Sequence, residues 1–156
     1  MKKILLSRQG KNKGKYFAIV DDVDFDYLNQ WKWCFHSNYA AGRKQGKYTA
    51  MHTLIMNTPR GREVDHINGN GLDNRQENLR IVNRGQNRMN CKKSKNNNSG
   101  YKGVGWFEKA KKWRAQIQFN KKRIHLGVFN NPMKAAKFYD KKAKELFGEY
   151  AKLNFS

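Results

Sequence analysis

The cleanest hydrophobic alternation lies near the C-terminus. In Trp113-Arg114-Ala115-Gln116-Ile117-Gln118-Phe119 the odd positions fall on one apolar face, and Arg114, Gln116 and Gln118 fall on the other. The pattern returns in Arg123-Ile124-His125-Leu126-Gly127-Val128, with Ile124 and Leu126 inward and Arg123 and His125 outward, and Asn120-Lys121 supplies the hairpin turn. The period then changes. Asn131-Pro132 suits a helix start, Ala136, Tyr139, Ala143 and Phe147 form a helical stripe, and Gly148 ends it. Residues 101–156 therefore predict a three-stranded antiparallel sheet packed on one helix, with the other sheet face free.

Earlier in the chain the pattern predicts shorter pieces. Residues 3–7, 16–20, 33–36 and 47–51 read as strands, and residues 24–31 as a short helix with Leu28 and Trp31 inward. Residues 39–46 read as the turn between the third and fourth of these strands, and Trp31, Trp33 and Phe35 as core. Residues 63–65 end a strand, 68–74 form a loop of Asn, Gly and Asp, and 78–82 return as a strand with Leu79 packed and Ile81 a further candidate for packing. A helix follows near Arg84, with Asn83 as its N-cap and Gln86 completing a capping box. The expected class is α+β. A small N-terminal β-rich region and a strand–loop–strand–helix module occupy residues 1–90, a polar, basic linker spans 91–100, and the sheet-and-helix domain spans 101–156.

Charge narrows the function. The chain of 156 residues carries 33 Lys and Arg against 12 Asp and Glu, a formal +21 spread along its whole length. Repulsion of this size calls for a polyanionic partner, and nucleic acid is the natural one, with charge alone permitting DNA or RNA. Cys34 and Cys91 lie far apart with no CxxC pair, which argues against a cysteine zinc site or a disulfide framework and fits a reducing compartment. Ile4-Leu5-Leu6 is too short for a signal peptide, and no apolar run approaches a membrane span. A soluble, intracellular, cytoplasmic and unsecreted protein is expected.

The candidate chemistry sits in the loop module. Asp65 and Asn87 can supply a carboxylate and an amide oxygen to one hard divalent cation, leaving its other positions to water and phosphate oxygens. His66 is adjacent to Asp65, so on an extended backbone the two side chains diverge. A neutral imidazole there is suited to take a proton from water, and Asn78 can hold its other nitrogen. Taken singly, each of these residues also reads as ordinary polar surface, and Asn68, Asn70 and Asn74 read as turn formers.

Taken together, residues 51–90 resemble the HNH homing endonucleases, the ββα-metal nucleases of phage and bacterial mobile elements. The match runs through Met51-His52-Thr53-Leu54-Ile55, Val64-Asp65-His66-Ile67-Asn68-Gly69-Asn70, Asp73-Asn74-Arg75, Glu77-Asn78-Leu79-Arg80 and Gln86-Asn87. The resemblance implies that His66 is the general base, Asp65 a metal ligand and Asn78 the group orienting the histidine. Asn87 stands where some members carry histidine, as in the His-Asn-Asn subgroup, which implies Mg²⁺ or Mn²⁺ and argues against zinc. His52 matches too, in a structural, phosphate-contacting or catalytic role, and Arg80 matches without an assigned role.

Residues 101–155 resemble the plant Apetala2/ethylene-response-factor DNA-binding domain through Tyr101-Lys102-Gly103-Val104, Trp113, Leu126-Gly127, Phe129, Ala135-Ala136, Tyr139-Asp140, Ala143, Gly148 and Leu153-Asn154-Phe155. The resemblance implies a sheet in the major groove, with Lys102, Arg114, Gln116, Gln118, Arg123 and His125 as DNA contacts; Lys92 and Lys93 of the linker are further phosphate contacts. Gly105 and Phe107 replace arginines of the plant pattern and His125 replaces its last-strand tryptophan, so the plant target sequence does not transfer. The expected activity is metal-dependent cleavage of double-stranded DNA near a site held by the C-terminal domain. The alternative is a DNA-binding regulator on an inactive nuclease fold. One active site per chain leaves nicking or a dimer's double cut, and hence the oligomeric state, open.

Overall fold

The computed structural model describes residues 1–7, 11–44, 46–91, 93–94 and 96–155, which form two compact units, Met1–Asn87 and Arg88–Ser156. Lys92, one of the expected phosphate contacts, lies outside the described residues.

In the first unit, β1 (Lys2–Leu6) and β2 (Tyr16–Val20) pair as an antiparallel hairpin, followed by helix α1 (Asp22–Asn29). Ile4, Leu6, Ala18 and Val20 turn inward from the hairpin and meet Leu28 of α1. Then β3 (Trp33–His36), β4 (Tyr39–Lys44) and β5 (Lys47–Ala50) make a three-stranded antiparallel sheet with β4 in the middle. Trp33 is buried against the same core, with Trp31 and Phe35 packed around it.

Here the structure corrects the sequence reading. Residues 39–44 are the central strand of a sheet, where the composition of residues 39–46 pointed to a turn. Ala40, Ala41 and Gly42 have low strand propensity, but their smallness is what the site requires. A Cβ on Gly42 would stand 2.8 Å from the Lys32 carbonyl oxygen and 3.1 Å from the Trp33 ring. The true turn is Ser37-Asn38, whose φ angles of 48° and 71° both lie in the left-handed region that a tight two-residue hairpin demands. Met51 likewise leaves the strand and opens a short helix, α2 (Met51–Ile55), which carries His52.

The module expected around Asp65 follows. Strand β6 (Glu63–His66) pairs antiparallel with β7 (Leu79–Val82), setting Asp65 opposite Arg80 and His66 opposite Leu79. Leu79 and Val82 are buried, whereas Ile81 is 40% exposed and does not join the core. Helix α3 (Arg84–Met89) begins at the predicted capping box: Asn83 N–H donates to Gln86 Oε1 and Gln86 N–H to Asn83 Oδ1, each at 2.9 Å.

In the second unit, β8 (Val104–Phe107), β9 (Lys112–Phe119) and β10 (Lys122–Phe129) form an antiparallel sheet with β9 central, and α4 (Pro132–Phe147) lies on one face. Val104, Ala115 and Ile117 meet Ala135, Ala136, Tyr139, Ala143 and Phe147 in its core. Asn131 caps α4, accepting from the Met133 and Lys134 N–H groups. A bulge between His125 and Gly127 shifts the register by one residue, so that beyond Leu126 it is Phe129 rather than Val128 that packs on the core. Gly103 is obligatory, since its φ is 75° and a Cβ would fall 2.1 Å from the Tyr139 ring. Within the segment 91–100, Asn97 Nδ2 donates to the Tyr101 and Val104 carbonyls, and Ser99 Oγ also donates to Val104. The whole is a mixed α+β protein of small antiparallel sheets and few helices.

Candidate active site

The loop between β6 and β7 is held by its own asparagines. Asn68 Oδ1 accepts from the Asn70 N–H and Asn70 Oδ1 from the Leu72 N–H, so these two shape turns. Asn68 Nδ2 donates to Asp73 Oδ2, and Arg75 clasps the same carboxylate at 2.8 Å, which keeps the Asp73 carboxyl below its ordinary range. The loop is also tied to β2. Ile19 N–H donates to the Leu72 carbonyl and Asn74 N–H to the Ile19 carbonyl, forming a parallel bridge at Asp73. Gln76 completes the attachment through Asp21 and Asp24.

His66 is brought to this loop by β6 and is 4% exposed. Its Nε2 lies 3.4 Å from Asn74 Oδ1, a long hydrogen bond. The sequence pointed to Asn78 for this position. Instead, Asn78 Oδ1 accepts from the Asn68 N–H at 3.0 Å and its Nδ2 donates to the Asp73 carbonyl at 2.7 Å, bracing the backbone beneath the ring. The His52 ring meets His66 edge-on at 5.0 Å between centroids, and Tyr39 lies against both imidazoles. Burial lowers the His66 pKa, opposed by its bond to Asn74 and by the charges of Asp65 and Asp73. Burial and then the neighbouring His66 press His52 down to about 4. Both rings are therefore neutral near pH 7.

Among the described residues two buried polar atoms lack a hydrogen-bond partner, His52 Nδ1 and Asn74 Nδ2, and both residues adjoin His66. Each costs roughly 1–3 kcal/mol, and such unmet groups gather where structure is shaped for chemistry.

Asp65 and Arg80 form a largely buried ion pair, with Arg80 Nε at 2.9 Å and Nη2 at 2.7 Å from Asp65 Oδ2. Asn87, on α3, donates from Nδ2 to Glu63 Oε2 at 2.7 Å. Glu63 and Asp65 stand two apart on one strand, so their side chains leave the same face, and Asn87 joins that face through Glu63. Glu63, Asn74 and Tyr39 were not singled out by the sequence. A period-two reading of β6 would have exposed Glu63. Nothing in a loop already rich in asparagine distinguishes Asn74.

The donor atoms on this face are oxygens, from the Glu63 and Asp65 carboxylates and from Asn87, whose amide nitrogen is bonded to Glu63; oxygen donors of this kind suit hard divalent ions. Among the described residues no group of three or more His, Cys, Asp or Glu stands ready to enclose a metal. An ion bound by Asp65 and Asn87 would keep positions for water and phosphate.

In the second unit, Arg114, Gln116, Gln118, Arg123 and His125 share the sheet face opposite α4, in the pairs Gln116–His125 and Gln118–Arg123. Arg114 stacks over Phe107, its guanidinium 5.0 Å from the ring centre. Lys102 is turned inward, its Nζ donating to the Met89 carbonyl at 2.7 Å, and burial lowers its pKa to about 8. Lys93 is exposed.

The neutral histidines make stability depend on acid. The unfolded chain binds a proton at His52 near pH 6.5 and the folded chain only near 4, so folding weakens as pH falls through that window. The loss expected at His52 is up to about 3 kcal/mol. Urea denaturation at pH 7.5 and 4.5 checks it: the His52→Phe variant should show a shallower decline than the wild type, and equal declines would contradict the assignment.

Residues 57–89 match the family profile of the HNH endonucleases. An uncharacterized HNH endonuclease of Acanthamoeba polyphaga mimivirus is 31% identical over 151 residues, covering 93% of this chain and 78% of the relative. Protein 3.8 of Escherichia phage T7 is 31% identical over 94 residues, covering 60% of this chain and 77% of the relative. No solved structure matches the chain. The chain belongs to the HNH endonuclease family. It is a nuclease by that membership, and among the described residues no helix is long and apolar enough to cross a membrane.

Proposed function

We propose that the protein is a metal-dependent endonuclease of the homing type that hydrolyses a phosphodiester in double-stranded DNA. The observation that carries this reading is His66, a buried and neutral imidazole on the same strand as the Asp65 carboxylate. With its Nε2–H donated to Asn74 Oδ1, the lone pair lies on Nδ1, and that nitrogen takes the proton from the attacking water. Asn78 holds the loop that carries Asn74, so it positions the ring through the backbone. Arg80 fixes the Asp65 carboxylate in one orientation. A Mg²⁺ or Mn²⁺ ion held by Asp65 and Asn87 would stabilise the charge that grows on the phosphate and on the leaving oxygen. The Apetala2-like second unit would recognise DNA with Arg114, Gln116, Gln118, Arg123 and His125, side chains able to contact base edges and phosphates. Lys93 would add a phosphate contact from the segment before it.

One observation favours a second reading, a DNA-binding regulator without activity: Asp65 is already neutralised by Arg80. A supercoiled-plasmid assay separates the two. Nicked or linear product with Mg²⁺ or Mn²⁺, lost on adding EDTA and restored by excess metal, is expected of the nuclease. Binding without cleavage in every metal would establish the regulator, and full cleavage in EDTA would remove the ion from the reaction.

A further inference from the structure

A cleft of about 450 Å³ opens beside the candidate active site, within the first unit. It reaches the site through His52, Tyr39 and Asn87, which line it. Its size falls in the range of roughly 300–1,000 Å³ that single small ligands occupy. Two features of its wall indicate what it receives.

The first is charge. Pro59-Arg60-Gly61-Arg62 is a tight turn, closed by Arg62 N–H on the Pro59 carbonyl, with Gly61 at a φ of 82°. It sets two arginines side by side on the cleft rim, both exposed and neither ion-paired among the described residues. The carboxylate in the wall, Glu63, accepts from Asn87, and the neighbouring His52 is neutral. The wall therefore keeps a surplus of positive charge in the form that grips phosphate in two places.

The second is aromatic surface. Tyr48 is 60% exposed and Tyr39 42%, well above what packing would leave to rings of this size. The Tyr48 hydroxyl is bonded to His36 Nδ1 at 2.9 Å, and Tyr39 rests against His52 and His66, so both rings are held in place. Ordered rings beside unpaired arginines are how proteins hold single nucleotides, with the base on a ring and the phosphate on the cation.

We infer that this cleft is a nucleotide subsite, holding one unstacked nucleotide of the strand being cut with its phosphate on Arg60 and Arg62 and its base against Tyr39 and Tyr48. The inference rests on the endonuclease reading. It adds that cleavage is coupled to distortion of the duplex next to the cut, because a stacked base cannot reach a cleft of this size.

The test uses thymidine 3′,5′-bisphosphate with the full-length protein in EDTA, so that no metal can hold the phosphate. Binding is followed by NMR of the Tyr39 and Tyr48 ring protons. Saturable shifts of these protons are expected, weakened about tenfold or more by Arg60→Gln with Arg62→Gln and severalfold by Tyr48→Ala. The charge-matched Lys11→Gln, Lys13→Gln protein should bind like the wild type. Absence of saturable shifts, or equal weakening by both charge-removing pairs, would overturn the subsite, the latter because net charge alone would then explain the binding. Plasmid cleavage is scored separately: a protein that binds the bisphosphate in this way but never cuts DNA retains the subsite and loses the nuclease reading.

Discussion

His66→Ala should lower strand cleavage by about 10²- to 10⁴-fold, the usual contribution of a positioned general base. DNA binding should persist, because the residues proposed to contact DNA in the second unit belong to another sheet. The fold should persist as well, since His66 is not among the residues of the hydrophobic core. Cleavage rates under single turnover, with protein in excess over DNA, report the proton-transfer step rather than product release. Equal single-turnover rates for variant and wild type would remove His66 from the mechanism.

Asp65→Ala should have an effect as large on activity and a second effect on stability. An ion held by this carboxylate, as proposed, would supply several kcal/mol of transition-state stabilisation, so its loss would correspond to about 10³-fold or more in rate. The same substitution takes the carboxylate away from the Arg80 guanidinium, which is only 14% exposed. Breaking one side of a fully buried pair costs about 3–5 kcal/mol, and the slight exposure here places the expected loss toward the lower end. Joining Arg80→Met to Asp65→Ala removes the other half of the pair, so thermal stability should recover while cleavage stays absent. If both return together, Asp65 acts only through folding. If Asp65→Ala unfolds no more easily than the wild type, the ion pair contributes nothing to the native state.

The sequence exposed those features whose cause is local. The capping box at Asn83 and Gln86 needs only four neighbouring residues, and β9 advertises its faces through strict alternation. Ala40, Ala41 and Gly42 concealed β4 because they are small buried residues of low strand propensity, and the size of Gly42 answers to Trp33 and Lys32. The five-residue helix α2 is too short for a period to register. At the site, Asp65 and His66 could be read as adjacent chemistry, whereas Asn74 gains its place at the imidazole only because β2 holds its backbone. The arginine facing Asp65 follows from strand register, which is set by pairing and not by composition.

The bridge between Ile19 and Asp73 bears on how the enzyme can be cut down. The residues matched to the family begin at 57, yet the loop they contain leans on a hairpin and helix from the first thirty positions. A fragment starting at 57 would retain the acid, the imidazole and both amides, and would lose the edge against which Asn74 is registered. Transplanting those thirty-three residues onto another scaffold would carry the reagents without the jig that aligns them.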